Sequence, residues 1–184
     1  MTPPRILIDA CVLYPTVMRA MVLGVAGEGL FEPIWSARIL EEWARAAQKL
    51  RPEGAAQARA EIALLRARRP GAERPAAPQV EQRLWLPDPN DLHVLAVAIH
   101  ASADALMTLN ARDFPRGTLA EEGLARVDPD GYLMTLWLND PAPVAQVAEA
   151  VLADARRLSG EAWEMRALLR KARLPRLAKA LAKA

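Results

Sequence analysis

The 184-residue sequence predicts an α/β protein, with alternating strands and helices building a parallel sheet covered on both faces and further helices following at the C-terminal end. Two observations carry this. Short apolar runs at residues 5–9 (RILID), 31–35 (FEPIW) and 105–109 (ALMTL) read as buried strands, and the segments between them repeat their apolar residues at helical spacing. A single cysteine, Cys11, excludes an intramolecular disulfide framework, and no run approaches the ~18 apolar residues of a membrane-spanning helix.

The first strand ends in Asp9, and a helix is expected over 11–25 from the spacing of Val17 and Met21 and of Met18, Val22 and Val25. Gly27 and Gly29 break it. After the second strand Ser36 is placed to cap a helix over 37–50, which Pro52 stops. Residues 55–68 suit a further helix. The following RRPGAERPAAP, residues 68–78, has a glycine and three prolines and reads as an exposed connection without regular structure, its Arg68, Arg69 and Arg74, with Arg66 just before it, assigned to solvent rather than RNA. Then come a helix opened by residues 86–91, a strand at 105–109, a turn through 110–115 and a last strand at 125–127. Beyond Asp140-Pro141 the chain reads as two or three helices, one with the stripe Val144, Val147, Ala148, Val151, Ala155 and Leu158, ended by Ser159-Gly160, and a second beginning with Trp163, Ala167 and Leu174. Residues 1–138 are expected to form the sheet-containing domain and 139–184 a basic helical extension.

The net charge of +2 is too small to argue for nucleic acid by itself. Its distribution is uneven. From Arg156 onward nine basic residues (Arg156, Arg157, Arg166, Arg170, Lys171, Arg173, Arg176, Lys179, Lys183) face two acidic ones, Glu161 and Glu164. A solvated helix face suits this tail as well as a phosphate-binding surface or a site for an acidic partner does. Cysteine usage and the lack of a secretory leader at the start point to the cytoplasm.

Ligands of open α/β sheets bind beyond the carboxyl ends of the strands. Asp9 stands at one such end, and Asn110 with Asp113 just past another. In LPDPNDLHVLAVAIH (86–100), Asp88 fits a helix N-cap with Pro89 at the first helical position, and Asp91 fits the third position of a capping box. Asp91 also heads the inward stripe Val94, Leu95 and Ala98. Of the two glutamates in ILEEW, Glu42 lies at the edge of the buried stripe and Glu41 on the polar face; a one-residue change of register would exchange them. Carboxylates from Asp9, Glu42, Asp91 and Asp113 gathered at one sheet end would repel and call for a cation, and an all-oxygen set suits Mg2+ or Mn2+ rather than zinc. His93 and His100 are read as structural or surface residues. Cys11 is read as a small buried filler, and Arg19 and Arg112 as surface charges in preference to phosphate contacts.

The segments ILIDACVLYP, WSARILEEW and LPDPNDLHVLAVAIHASADALMTLNARDFP, taken in order over about residues 5–132, resemble the PIN-domain ribonucleases, in particular a bacterial group related to VapC-type toxins. The resemblance implies a PIN-like three-layer sandwich with a central parallel sheet of four to five strands. It implies a site of Asp9, Glu42, Asp91 and Asp113 holding one or two Mg2+ or Mn2+ ions, with Thr108 and Asn110 supporting the last acid. Asp88 has no counterpart in the shortest family pattern and stands as an additional metal ligand to be tested. The implied activity is metal-dependent endoribonuclease cleavage, as the toxin of a toxin–antitoxin pair, with RNA as substrate, a cognate antitoxin as partner and homodimerisation common among relatives. A PIN-like module that binds or assembles without cutting is the alternative. A phosphatase of the haloacid-dehalogenase type would want a second aspartate where Cys11 stands, and a receiver domain a lysine that 106–115 lacks.

Overall fold

A computed structural model describes residues 2–182, so Lys183 of the basic tail lies outside the described residues. In chain order the elements are β1 (Arg5–Ile8), α1 (Ala10–Leu13), α2 (Thr16–Gly27), β2 (Glu32–Ser36), α3 (Ala37–Leu50), α4 (Gly54–Arg68), β3 (Glu73–Arg74), α5 (Pro78–Glu81), a 3-10 turn (Pro89–Asp91), α6 (Leu92–His100), β4 (Ala105–Met107), α7 (Arg116–Glu121), β5 (Ala125–Val127), α8 (Pro129–Asn139), α9 (Pro141–Ser159), α10 (Met165–Lys171) and α11 (Pro175–Leu181). The helix expected over 11–25 is two helices, divided at Pro15, whose ring and missing N–H cannot continue α1 and whose extended backbone starts α2. The chain packs as two compact units, one built from the segment up to Tyr14 with Glu32–Val127, the other from Pro15–Phe31 with the chain from Asp128 onward.

The first unit holds a five-stranded sheet, among the described residues, in the order β3-β2-β1-β4-β5, with every neighbouring pair parallel. Ile6, Leu7 and Ile8 are fully buried because a central parallel strand is covered on both faces, which is why β1 reads as an unbroken apolar run. The chain winds from β1 through β2 to β3, then returns to the other side of β1 for β4 and β5. With the right-handed crossovers that parallel strands take, this order assigns α3 and α4 to one face of the sheet and α5, α6 and α7 to the other, the layering of an α/β sandwich. At the switch between β1 and β4 the segments leaving the two strands diverge, the position at which open α/β sheets take their ligands. Ser36 caps α3, its Oγ accepting from Ile39 N at 3.3 Å.

The stretch at 68–78, expected to lack regular structure, contributes β3. Glu73 and Arg74 pair with Trp35 and Ser36 at the edge of the sheet, and Ala72 and Ala77 are buried. Pro75 limits this strand to two residues, and an edge is where a strand tolerates a neighbouring proline.

The second unit is helical. Gly24 of α2 faces Val147 of α9 so closely that a Cβ there would fall 2.5 Å from Val147 Cγ1. Glycine thus lets the two helices approach, and α2 lies with α8 to α11 in this unit. Residues 129–139, unassigned in the sequence, form α8, which starts on Asp128 and Pro129. Its Asp130 is buried and accepts from the backbone N–H groups of Arg176 (3.0 Å) and Leu177 (3.1 Å), satisfying the first turn of α11. Val144, Val147, Ala148, Val151 and Leu152 are buried along α9, whereas Leu158 is 72% exposed, and Leu168 and Leu169 are buried in place of Ala167. Gly160 ends α9 with φ 70, the left-handed conformation open to glycine. In the basic tail Arg157 pairs with Asp154 at 2.9 Å, and Lys171 lies 4.7 Å from the centre of the Trp163 ring. Arg19 is buried in α2 and is not a surface charge.

Candidate metal centre

Asp9 follows the last residue of β1, and its backbone N–H donates to Met107 O at 3.1 Å, extending the β1–β4 ladder by one bond. The side chain is buried and fixed by two donors: Thr108 Oγ1 gives a hydrogen bond to Asp9 Oδ2 at 2.7 Å and Cys11 Sγ another at 3.1 Å. Thr108 Oγ1 also accepts from Asn110 N at 2.9 Å, and Cys11 Sγ accepts from Leu109 N at 3.2 Å. Burial, then the charge of Asp9, pushes the Cys11 thiol up to about 12. Cys11 is thus a neutral donor that orients Asp9, more than the filler expected.

The start of α6 departs from a capping box. Asp88 Oδ1 accepts from Asn90 N at 2.9 Å and from Asn90 Nδ2 at 3.0 Å, so the cap is formed, on a 3-10 first turn. Asp91 makes no capping bond. Instead its Oδ2 accepts from Asn110 Nδ2 at 3.3 Å, and the same amide donates to Asp113 Oδ2 at 2.8 Å, tying the head of α6 to the loop after β4. One oxygen each of Asp88, Asp91 and Asp113 lies within 4.8 Å of the others, all three side chains half-buried. Asp88 therefore serves both as the cap and as a member of the acidic group.

The two glutamates of α3 part company. Glu41 pairs with Arg59 at 2.9 Å and Arg45 at 3.5 Å. Glu42 turns to the other side, where its Oε1 lies 2.8 Å from Nε2 of the buried His93 and 3.5 Å from Arg38 Nε. The His93 contact has the length of an ion pair without the alignment of a hydrogen bond. No periodicity could have revealed His93 as Glu42's neighbour, because the two stand on different helices. His100 and Arg112 are exposed.

Asp91 integrates the site's field. Burial first, and then the charges of Asp9, Asp88, Asp113 and Glu42 in that order, raises its acid to about 6. Each of these four carboxylates opposes ionisation of Asp91, the like-charge crowding that a cation would relieve. The donor set agrees: three carboxylate oxygens converge among the described residues with no histidine or thiolate in the cluster, a set for a hard divalent cation.

Compared with known protein families, the profile of the PIN domain matches residues 5–112, more than half of the chain. The chain belongs to the PIN-domain family. The match takes in Asp9, Glu42, Asp88, Asp91, Thr108 and Asn110 and stops one residue short of Asp113. Comparison with curated proteins and with solved structures gave no match. This PIN domain has a central parallel sheet and an acidic cluster at the switch between β1 and β4, with additional helices after the matched region. Among the described residues no helix is long and apolar enough to cross a membrane.

Proposed function

We propose that this PIN domain is a metal-dependent endoribonuclease that uses Mg2+ or Mn2+ to hydrolyse RNA phosphodiester bonds. The observation that carries the reading is the convergence of Asp88, Asp91 and Asp113 within 4.8 Å, with Asp91's acid raised to about 6 by burial and the surrounding carboxylates. Asp88, Asp91 and Asp113 would hold a cation, with Asp9 and Glu42 bordering it. When bound, such an ion supplies Lewis-acid polarisation of a phosphodiester and activation of water. The chain's own residues do the positioning. Asn110 holds Asp91 and Asp113 in one arrangement, Thr108 and Cys11 fix Asp9, and His93 and Arg38 confine Glu42. Single-stranded or loop RNA is the substrate class, since its backbone reaches an open site without duplex opening. In the cell the activity is that of a toxin restrained by a cognate antitoxin protein that covers the acids.

The test is cleavage of a mixed RNA pool by purified protein, with Mn2+ and with chelator, beside Asp9→Asn and Asp91→Asn. Cleavage should require the ion and be lost in both variants; cutting that survives chelation and both substitutions would overturn the reading. Induced expression should arrest bacterial growth with the wild-type chain and not with Asp91→Asn.

A further inference from the structure

The sequence assigns Arg66, Arg68, Arg69 and Arg74 to solvent. The structure gathers three of them, with Arg38, around one open pocket of about 510 Å3 at the carboxyl ends of β2 and β3, where Glu73 is the one acid in the lining. Arg69 and Arg74 also line a second cavity with Arg68 on the neighbouring surface, so the same two side chains stand between both. Arg66 is neutralised by Glu73 through bonds of 2.6 and 3.1 Å. Arg74 is different: its Nε is buried without a hydrogen-bond partner among the described residues, an arrangement that costs free energy. Burial lowers the pKa of Arg69, marking a cation held in a partly desolvated place.

Ser36, Ala37 and Arg38 bring the N-terminal turn of the 14-residue α3 to the same pocket, adding the positive end of a helix dipole. Arginine forks and a helix N-terminus together describe a receptor for a multivalent oxyanion. The position of the pocket says which one. Strand order places it about two strand spacings, ~10 Å, along the same sheet edge from the β1–β4 switch. Arg38 spans the interval, its Nη2 donating to Asn90 O at 3.3 Å between Asp88 and Asp91 while its Nε faces Glu42.

We propose that this arginine pocket binds a backbone phosphate of the single-stranded RNA whose scissile bond lies at the acidic cluster. The choice of RNA as ligand rests on the nuclease reading above. The acidic cluster repels a polyanion, and the pocket supplies compensating attraction a short way along the strand. Arginine, always charged and bidentate, reads the backbone and not the base, so the pocket sets the path of the strand without fixing its sequence.

The test is fluorescence anisotropy of a labelled single-stranded RNA oligonucleotide in chelator, where binding is separated from cutting. Wild type is compared with the Arg69→Gln/Arg74→Gln double variant and with Glu73→Gln, and poly-glutamate serves as competitor. The double variant should bind RNA at least tenfold more weakly, and its dependence on salt should be shallower by roughly 0.7 for each phosphate that is no longer neutralised. Glu73→Gln should bind more tightly, and it decides the matter if the double variant fails to fold. Unchanged affinity and salt dependence in folded variants would overturn the proposal, as would poly-glutamate displacing RNA at equal charge concentration, which would mark the pocket as a site for an acidic protein. The two readings separate cleanly: arginine-dependent RNA binding with no cleavage under any metal rejects the nuclease and keeps the pocket, whereas metal-dependent cleavage indifferent to the arginines does the reverse.

Discussion

Two short stretches of this chain are written almost alike and do opposite work. Asp88-Pro89-Asn90-Asp91 and Asp128-Pro129-Asp130-Gly131 each open a helix with an aspartate cap and a proline at the first position, and each cap accepts from a backbone N–H further on, Asn90 N at 2.9 Å and Gly131 N at 2.8 Å. They differ in what surrounds the second aspartate. Asp130 is buried against two backbone donors that its oxygens satisfy. Asp91 has one amide donor and is opposed by Asp9, Asp88, Asp113 and Glu42. An acid ringed by donors stabilises a fold. An acid ringed by acids is retained at a cost to stability, and a cation is what relieves that cost.

The largest effect expected from this contrast comes from Asp130→Ala. It strands the N–H groups of Arg176 and Leu177 and should lower stability by about 1–3 kcal/mol in chemical denaturation, while cleavage per folded molecule is unchanged. A drop in metal-dependent cleavage at equal folded fraction would erase the contrast. Next is Asp88→Ser, which keeps a good cap and removes a carboxylate. Stability should change by less than about 1 kcal/mol and Mn2+ affinity should fall roughly tenfold. A loss of stability without loss of affinity would make Asp88 a cap alone.

The smallest effect is electrostatic. Asp91 holds its proton more tightly in the folded chain, with the acid raised from 3.8 to about 6. In chelated protein its contribution to stability is therefore present at low pH and lost as pH rises through that interval. After allowance for solvent screening this amounts to ~1 kcal/mol. Asp91→Asn should flatten this part of the pH profile and be the more stable protein at pH 7 without metal. A steeper profile in the variant would show that Asp91 is held by attraction.

Local signals made much of this legible in the sequence. Helix 37–50 with its Ser36 cap, and the apolar run of β1, are written in residues a few positions apart, and the structure has both. Glu42's separation from Glu41 follows from helical periodicity in the same way. What could not be read is what depends on distant neighbours. Pro70, Pro75 and Pro78 hide β3, because pairing with Trp35 and Ser36 decides it. For Asp88 a local cap is a complete explanation until Asp113, from a loop after another strand, is placed beside it. The apolar residues of 132–138 fall on all sides of α8, leaving no stripe to read, and the arginine pocket exists only when β3 meets the start of α3.

Calorimetric titration of chelator-stripped protein with Mn2+ tests the central claim most directly, with wild type, Asp91→Asn and Asp130→Asn compared at pH 7. The acidic cluster predicts saturable binding by wild type and by folded Asp130→Asn, and its loss in Asp91→Asn. Equal Mn2+ binding by wild type and Asp91→Asn would contradict it.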